Sequence, residues 1–378
     1  MSTGVGFVEH FGQLDDPRVV GRTRHRLIDI IVIAVCASIC NADTWVDVAA
    51  YGRAKEAWLR TFLELPNGIP SHDTFGRVFA MIDPEQFQAC FLAWIRAVAA
   101  ATQGEIIAVD GKTARRSHDR AAGQTGLHMI SAWATEHHLV LGQRALSGKQ
   151  NELSELPTLL ALLDLADCIV TIDAIGCQVE IAQQIRDQAG DYVLAVKSNQ
   201  PKLHARIQSV FSTVTARPEA LTHERFRTVE KGHGRIETRT VWAVSDPQYL
   251  DWIDPEKRWP DLRSVAIVVA ERRQGDEVTL ATRYYISSRD GTAASLANAI
   301  RSHWGIENGL HWILDVAFDN DGTRVRTGHG PANLTVLQHI AVNLIKHEPS
   351  ARRSVNGRRL MAAWDNDYLW SVLTASLV

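Results

Sequence analysis

The sequence predicts an α/β protein, in which a mixed-sheet domain carries an antiparallel β insertion and follows a helical N-terminal domain. Residues 1–100 have a helical texture throughout, and apolar strand-like runs then alternate with helical stretches from Gly104 onwards. Residues 205–290 hold strand-like runs without intervening helices. A chain of 378 residues is long enough for two domains. We therefore expect a helical domain at 1–100 and a catalytic domain at 101–378, lengthened by the insertion at about 205–290.

The N-terminal helices are predicted from apolar density and from start and stop signals. Residues 27–40 are dense enough in apolar side chains for a buried helix, and residues 45–63 are rich in helix formers. Ser71 and Asp73 can cap a helix over 74–81. Pro84, followed by an acidic first turn, is typical of another helix start.

The alternation after residue 104 favours strands buried inside a sheet with helices on its faces. The predicted strands and helices of this part are listed in chain order: strands at 105–110, 127–134, 138–146, 168–173 and 192–197, with helices at 152–165 and 179–188. Three further strands are expected at 228–245, 264–273 and 279–288, and helices return at 295–318 and 333–346.

Charge and composition exclude a disordered chain and a uniformly basic protein. Hydrophobic residues make up 46% and charged residues 22%, and 40 Lys and Arg against 43 Asp and Glu give a net charge of −3. This average net charge conceals a local excess of positive charge, because residues 197–240 hold nine Lys and Arg against four Asp and Glu. The five cysteines have neither zinc-site nor disulfide spacing, which favours a reducing compartment. The longest apolar run, residues 30–40, is shorter than the roughly 20 residues of a membrane-spanning helix, so we expect a cytoplasmic protein with no membrane partner.

Two aspartates follow β-branched runs in the same context. Asp110 ends the run from Glu105, and Asp173 ends the run from Cys168. Ligands of open α/β sheets gather outside the strand ends, and two carboxylates there suit Mg²⁺ or Mn²⁺. For either acid alone, a turn or cap role explains the pattern equally well.

A third acid is expected in the aromatic segment 301–315. His303, Glu307 and His311 recur every four residues and would share one helix face. An acid buried there requires a partner or a metal; a polar surface stripe is the alternative. Gly305 and Gly309 are expected to weaken or kink this helix.

Several long motifs resemble those of insertion-sequence transposases of the H-repeat-associated, ISAs-group type, which are members of the DDE superfamily. They are AVDGK at 108–112, TIDAIGCQ at 171–178, YVLAVKSNQPKL at 192–203, GHGRIETR at 232–239 and RSHWGIENGLHWILDVAF at 301–318. DDPRVVGRTRHRL at 15–27 and GIPSHDTFGRVF at 68–79 resemble the family's N-terminal associated domain. The resemblance spans nearly the whole chain.

The resemblance implies an RNase-H-like fold with a catalytic Asp-Asp-Glu set at Asp110, Asp173 and Glu307. These acids would hold two Mg²⁺ or Mn²⁺ ions during attack on a phosphodiester. A Tyr-Arg-Glu-Lys signature found in related transposases is not met, because Ile300, His303 and Leu314 occupy its other positions. Asp315 is a rival third acid.

Basic residues near these motifs are the candidates for phosphate contacts, which position DNA without reading its sequence. They are Lys112, Arg115, Arg116, Lys197, Lys202, Arg235 and Arg301. A solvated charged face is the alternative for each cluster. The expected partners are double-stranded DNA, as element ends and as target, and a second copy of the chain in the DNA complex.

Three functions remain open at this stage. The first is a transposase of a bacterial mobile element that cleaves element ends and joins a 3′-hydroxyl to target DNA. The second is a metal-dependent nuclease without joining activity, and the third is a catalytically silent DNA-binding remnant. Glu152 is expected to start a helix, with a position near the metals as the alternative.

Overall fold

A single nine-stranded sheet forms the centre of the protein, in a computed structural model that describes residues 6–19, 21, 23–98, 104–114, 127–146, 152–232 and 234–375. Its strands are β1 (Ile106–Ala114), β2 (Leu127–Ala134), β3 (Leu139–Leu146), β4 (Ile169–Ile172), β5 (Asp191–Val196), β6 (Glu224–Gly232), β7 (Arg235–Val244), β8 (Ser264–Gln274) and β9 (Glu277–Ser287). Their order across the sheet is β3-β2-β1-β4-β5-β9-β8-β7-β6. The mixed α/β class predicted from the sequence is confirmed.

The first five strands have the RNase-H-like arrangement. β1, β2 and β3 form an antiparallel meander, while β4 and β5 run parallel to β1. β1 lies in the middle of this group with an antiparallel neighbour on one side and a parallel neighbour on the other. Parallel pairing places the ends of β1 and β4 at one edge of the sheet.

The predicted antiparallel insertion is confirmed, and it continues the same sheet. β9 pairs with β5, and β8, β7 and β6 follow in turn. The strands occupy Glu224–Ser287, so the first part of the predicted 205–290 region is helical instead. Gly234, with φ of 71°, turns the chain from β6 into β7, so the region expected as a strand at 228–245 contains a hairpin turn.

Fourteen helices are present in the described parts of the chain. They are α1 (Gly6–Phe11), α2 (Leu27–Ile39), α3 (Trp45–Leu59), α4 (His72–Met81), α5 (Pro84–Val98), α6 (Glu152–Ala161), α7 (Val179–Asp187), α8 (Pro201–Ala216), α9 (Pro247–Ile253), α10 (Ala293–His303), α11 (Trp312–Val316), α12 (Gly330–His347), α13 (Val355–Trp364) and α14 (Asn366–Leu373). The helical N-terminal part predicted from the sequence is confirmed. Ser71 caps α4 by accepting a hydrogen bond from the N–H of Thr74.

The two faces of the sheet are covered differently. α10 packs on one face through Leu296, Ala299 and Ile300, against Val193 and Val268 of the strands. The other face carries the larger core, in which α12 packs on β3 and also contacts α2, α4 and α5. Helices that end the chain therefore share a core with helices that begin it. The domain boundary at about residue 100 stays a prediction.

The cysteines were expected to be small core residues, and Cys36, Cys40, Cys168 and Cys177 are buried. All five thiols are free, and Cys90 is half-buried. No helix in the described ranges is both long and apolar enough to cross a bilayer.

Candidate active site

Asp110 and Asp173 lie side by side where the parallel pairing of β1 with β4 ends. Val109 and Ile172 are the last paired residues, and each aspartate comes directly after one of them. Asp173 caps a short 3-10 turn by accepting a hydrogen bond of 3.0 Å from the N–H of Ile175. β1 continues to Ala114, with Asp110 opposite Ser131 of β2. Asp110 therefore stands inside a strand, whereas the sequence suggested a strand end.

One small cavity joins the two aspartates. Its volume is about 10 Å³, and its polar side chains are Asp110, Asp173 and Glu152. A volume of this order has room for one water-sized occupant. The sequence treated Glu152 mainly as the start of a helix, so its place beside Asp110 is a finding of the structure.

Glu307 faces the same carboxylate from a π-helical turn, Glu307–His311, between α10 and α11. Its negative charge is among those that raise the pKa of Asp110. π-Turns arise within helices, often at functional sites. This turn replaces part of the continuous helix expected over 295–318, at the two glycines expected to disturb it. Gly309 packs against the ring of Trp133, where a Cβ atom would lie 2.9 Å from the nearest ring carbon.

Two histidines of the same segment also turn toward the strand ends. His303 Nδ1 lies 3.1 Å from the hydroxyl oxygen of Thr171 on β4. His311 Nδ1 lies 3.7 Å from Asp110 Oδ2, and burial lowers the pKa of His311 to about 4. The ring is neutral at pH 7, so this contact is not an ion pair there. His303, Glu307 and His311 thus share one side, as their spacing predicts.

Asp315 is bound by a different partner. Lys112 Nζ lies 2.5 Å from Asp315 Oδ1, and only 12% of the lysine side chain is exposed. This ion pair joins β1 to α11 beside the acids. It holds the rival third acid, and it directs Lys112 into the protein.

The surroundings of Asp110 raise its pKa strongly. Burial, together with the charges of Asp173, Glu152 and Glu307, raises its pKa to about 7, against one backbone hydrogen bond that lowers it. A carboxyl among other carboxylates favours either a proton or a nearby cation.

The donor chemistry of the site fits a hard divalent cation. Asp110, Asp173 and Glu152 offer carboxylate oxygens around a cavity of ion size, and Mg²⁺ prefers oxygen ligands. Within the described residues, no three acidic, histidine or cysteine side chains converge as a formed metal cluster. Like charges repel, so ligand carboxylates separate from one another unless a cation lies between them.

Two of the predicted DNA-contacting lysines flank this edge. Lys197 is exposed in the loop that joins β5 to α8, and Lys202 is exposed in the first turn of α8. Asn199, between them, donates a hydrogen bond of 2.5 Å to the carbonyl of Ala174, in the turn after Asp173. The loop therefore lies next to the second aspartate. Arg115 and Arg116 fall outside the described residues.

Arg235 and Arg301 line one groove of about 480 Å³ between α10 and strands of the insertion. The charged residues of its lining are Arg235, Arg239, Arg283, Arg301, Glu230 and Glu237. Arg301 and Arg239 both contact Glu230, at 3.3 and 3.1 Å. The guanidinium of Arg283 lies 4.8 Å from the ring centre of Trp304. Asn308, next to Glu307, also lines the groove, so the groove extends from the insertion to the start of the π-turn.

His128 lies beside the acids of this site, and no motif of the sequence points to it. Its Nε2 lies 2.5 Å from Glu152 Oε1, and its Nδ1 lies 2.5 Å from Thr113 Oγ1. Twenty-four positions separate His128 from Glu152, and no short motif joins them. Only the pairing of β1 with β2 and the position of α6 bring them together.

Comparison with known proteins shows the family of the chain. Residues 8–95 match the family model described as DDE_Tnp_1-associated, and residues 101–344 match the model described as Transposase DDE domain. The H repeat-associated putative transposase YhhI of Escherichia coli K12 is 37% identical over 98% of both chains. An uncharacterized protein in the dhlA 3′ region of Xanthobacter autotrophicus is 44% identical over 74% of this chain and 92% of its own.

A solved structure is also similar. The piggyBac transposase synaptic complex with hairpin DNA covers 98% of this chain and 76% of its own, at 11% identity and a TM-score of 0.42. The family assignment rests on the match of residues 101–344 and on the full-length relative. The chain belongs to the DDE transposase family, in the group of the H repeat-associated transposases.

Proposed function

We propose that this transposase cleaves DNA at the ends of an insertion sequence and joins the freed 3′-hydroxyl to target DNA, with Asp110, Asp173 and Glu307 as its catalytic acids. The observation that carries the proposal is the meeting of the Asp110 and Asp173 carboxylates at one ion-sized cavity, with the charge of Glu307 acting on Asp110. The family motifs assign the same three residues.

The acids are proposed to bind two divalent ions, Mg²⁺ or Mn²⁺. When bound, the ions would supply Lewis acidity to the attacking and leaving oxygens of the phosphodiester. Asp110 is central because it lies between β2 and β4 and feels the charge of the other acids. Asp173 is held by its own turn, which fixes the direction of its carboxylate. Glu307 is exposed and reaches the site from a separate helical segment.

Double-stranded DNA is the proposed partner, and Lys197, Lys202, Arg235 and Arg301 are proposed to contact its phosphates. The lysines lie beside Asp173 and the arginines line the groove that reaches Asn308, so a duplex bound to both would pass the acids. Arginines outnumber glutamates four to two in that lining.

Lys112 is proposed to stabilise the site through Asp315, and Arg115 and Arg116 stay proposed DNA contacts. Pairing of two element ends predicts a homodimer in the DNA complex, and chromosomal DNA places the reaction in the cytoplasm.

The test is an assay of cleavage and joining with labelled DNA that carries the element ends, a target plasmid, and Mg²⁺. We expect Asp110→Asn, Asp173→Asn and Glu307→Gln each to lower both products by at least about 100-fold. Each substitution removes a negative charge whose interactions stabilise the transition state. Asp315→Asn tests the rival acid and should lower both products far less than these three substitutions, because it removes only the ion pair with Lys112. Full cleavage by Asp110→Asn would refute the assignment.

The same assay separates the other two functions. A pre-cut end with a free 3′-hydroxyl is joined to plasmid by a transposase, whereas a nuclease gives cleavage without joined product. A DNA-binding remnant retards the end fragment in a gel and yields neither product at any Mg²⁺ concentration.

A further inference from the structure

A third carboxylate shares the cavity of Asp110 and Asp173, and the family motifs do not include it. Glu152, the first residue of α6, lines the same volume of about 10 Å³. Its charge is also among those that raise the pKa of Asp110. Glu307 does not line this cavity, so the acid that shares it with the two aspartates is one that the motif pattern leaves out.

Glu152 is fixed in place by a hydrogen-bonded chain that begins on β1. Thr113 of β1 and His128 of β2 are paired across the two strands, and their side chains meet at 2.5 Å. The other ring nitrogen of His128 lies 2.5 Å from Glu152 Oε1. A carboxylate only accepts hydrogen bonds, so Nε2 donates and, in the neutral ring, Nδ1 accepts from the Thr113 hydroxyl.

This arrangement leaves one oxygen of Glu152 for another partner. Oε1 is taken by His128, and no hydrogen bond to Oε2 exists among the described residues. An acid that served only to begin α6 would have no need of a histidine to orient it. Carboxylates that bind a metal are themselves held by hydrogen bonds from neighbouring groups, as Glu152 is held by His128.

Gly111 provides the space for this carboxylate on β1. A Cβ atom at this position would overlap the carboxyl group of Glu152 and lie 2.9 Å from His128 Nε2. The strand therefore has no side chain where the carboxylate crosses it, one residue from Asp110. Because Gly111 has no side chain, the carboxylate of Glu152 contacts the backbone of β1 directly.

We propose that Glu152 is a fourth carboxylate of the catalytic centre, which binds a divalent cation in this cavity together with Asp110 and Asp173, and that His128 is its positioning residue. The proposal rests on the proposed function, because it assigns a further ligand to the same ions. It assigns to that ion the three carboxylates that line the cavity, while Glu307, which does not line it, keeps its proposed catalytic role.

The test measures binding of Mn²⁺ alone to the metal-free, full-length protein, by electron paramagnetic resonance of the free ion. We expect Glu152→Gln to weaken binding by about tenfold or more, and His128→Asn to weaken it by about tenfold because the ligand loses its orientation. Glu180→Gln is the matched control. Glu180 also lies in the first turn of a helix but is exposed and outside the cavity, so Mn²⁺ binding should be unchanged.

A second readout uses Mg²⁺-dependent cleavage, where Glu152→Gln should raise the Mg²⁺ concentration for half-maximal rate. Glu152→Asp keeps the charge and should restore part of the Mn²⁺ affinity, which also covers the case in which the glutamine variant fails to fold. Wild-type Mn²⁺ affinity in a folded Glu152→Gln protein would overturn the proposal. If Asp110→Asn still weakens Mn²⁺ binding in that case, the proposed function stands and only the role of Glu152 is rejected. If neither variant changes binding or cleavage, both proposals fail.

Discussion

At the scale of single residues, the site is surrounded by groups that burial keeps uncharged. His311 lies beside Asp110. His339 of α12 lies close enough to His311 for a charge on His311 to lower the pKa of His339. The side chain of His339 is fully buried, and neither ring nitrogen has a hydrogen-bond partner in the described parts of the chain. A positive charge on the ring of His339 would have no partner. Both histidines are therefore neutral, and they form an uncharged environment next to Asp110.

His339 predicts a dependence of stability on pH. Burial lowers its pKa from 6.5 to about 3, so the unfolded chain binds a proton below pH 6.5 that the folded chain does not. The contribution of the neutral ring is complete above pH 6.5 and is lost as the pH falls toward 3, at up to about 1.4 kcal/mol per pH unit. We expect His339→Leu to flatten the decline of unfolding free energy between pH 6.5 and 4, measured by urea denaturation.

The control for this prediction is His72→Leu, since the side chain of His72 is 54% exposed. Its profile of stability against pH should follow the wild type. An unchanged slope in His339→Leu would show that the ring is charged or solvated in the folded protein.

At the scale of elements, the regular pattern of the sequence predicts most of the structure, and the exceptions lie at the site. The N-terminal helices and the strands around both aspartates follow from apolar spacing and caps. α8 was not predicted, although Leu203, Ile207, Val210 and Val214 form its buried side, because the motif before it ends in a loop. The π-turn cannot be read from the sequence, since a spacing of four suits an α-helix equally well. Lys112 and Asp315, 203 positions apart, meet only through the fold.

The two glycines around Glu307 predict opposite outcomes for the same substitution. A Cβ at Gly309 would lie 2.9 Å from Trp133, whereas a Cβ at Gly305 would meet only a methyl group of Thr135 at 4.0 Å. We expect Gly309→Ala to displace the π-turn from β2, lower stability by about 1–3 kcal/mol and reduce cleavage. Gly305→Ala should be neutral or stabilising by up to about 1 kcal/mol. Thermal unfolding and the cleavage assay check both, and equal effects of the two would show that Trp133 does not set the position of the turn.

At the scale of the whole molecule, side chains from the end of the chain hold its beginning. Arg359 of α13 is fully buried, and it donates hydrogen bonds to the carbonyl of Ser38 and to Asp43. Its guanidinium also lies 4.0 Å from the ring centre of Phe318. Asn333 of α12 donates hydrogen bonds to the carbonyls of Phe79 and Ile82. Neither connection is visible in the sequence, where Arg359 looks like one of several basic residues near the C-terminus.

Arg359→Met tests this connection. The substitution keeps much of the volume but removes the charge and leaves the Ser38 carbonyl without its donor, so we expect a loss of about 3–5 kcal/mol in unfolding free energy. Arg352→Met is the matched control, since Arg352 is exposed and should change stability by less than about 0.5 kcal/mol. Denaturant unfolding checks both. A loss below 1 kcal/mol for Arg359→Met would mean that the helices hold together without it.

The bonds from Asn333 also bear on how the protein is made. They span 254 and 251 positions, and α12 fills the core between the first helices and the sheet. During translation, α2, α4 and α5 leave the ribosome long before the helix that covers them, and their apolar sides stay exposed until almost the whole chain has been synthesised. Chains that end before α12 would therefore leave these apolar sides uncovered, and we expect them to aggregate or to be degraded.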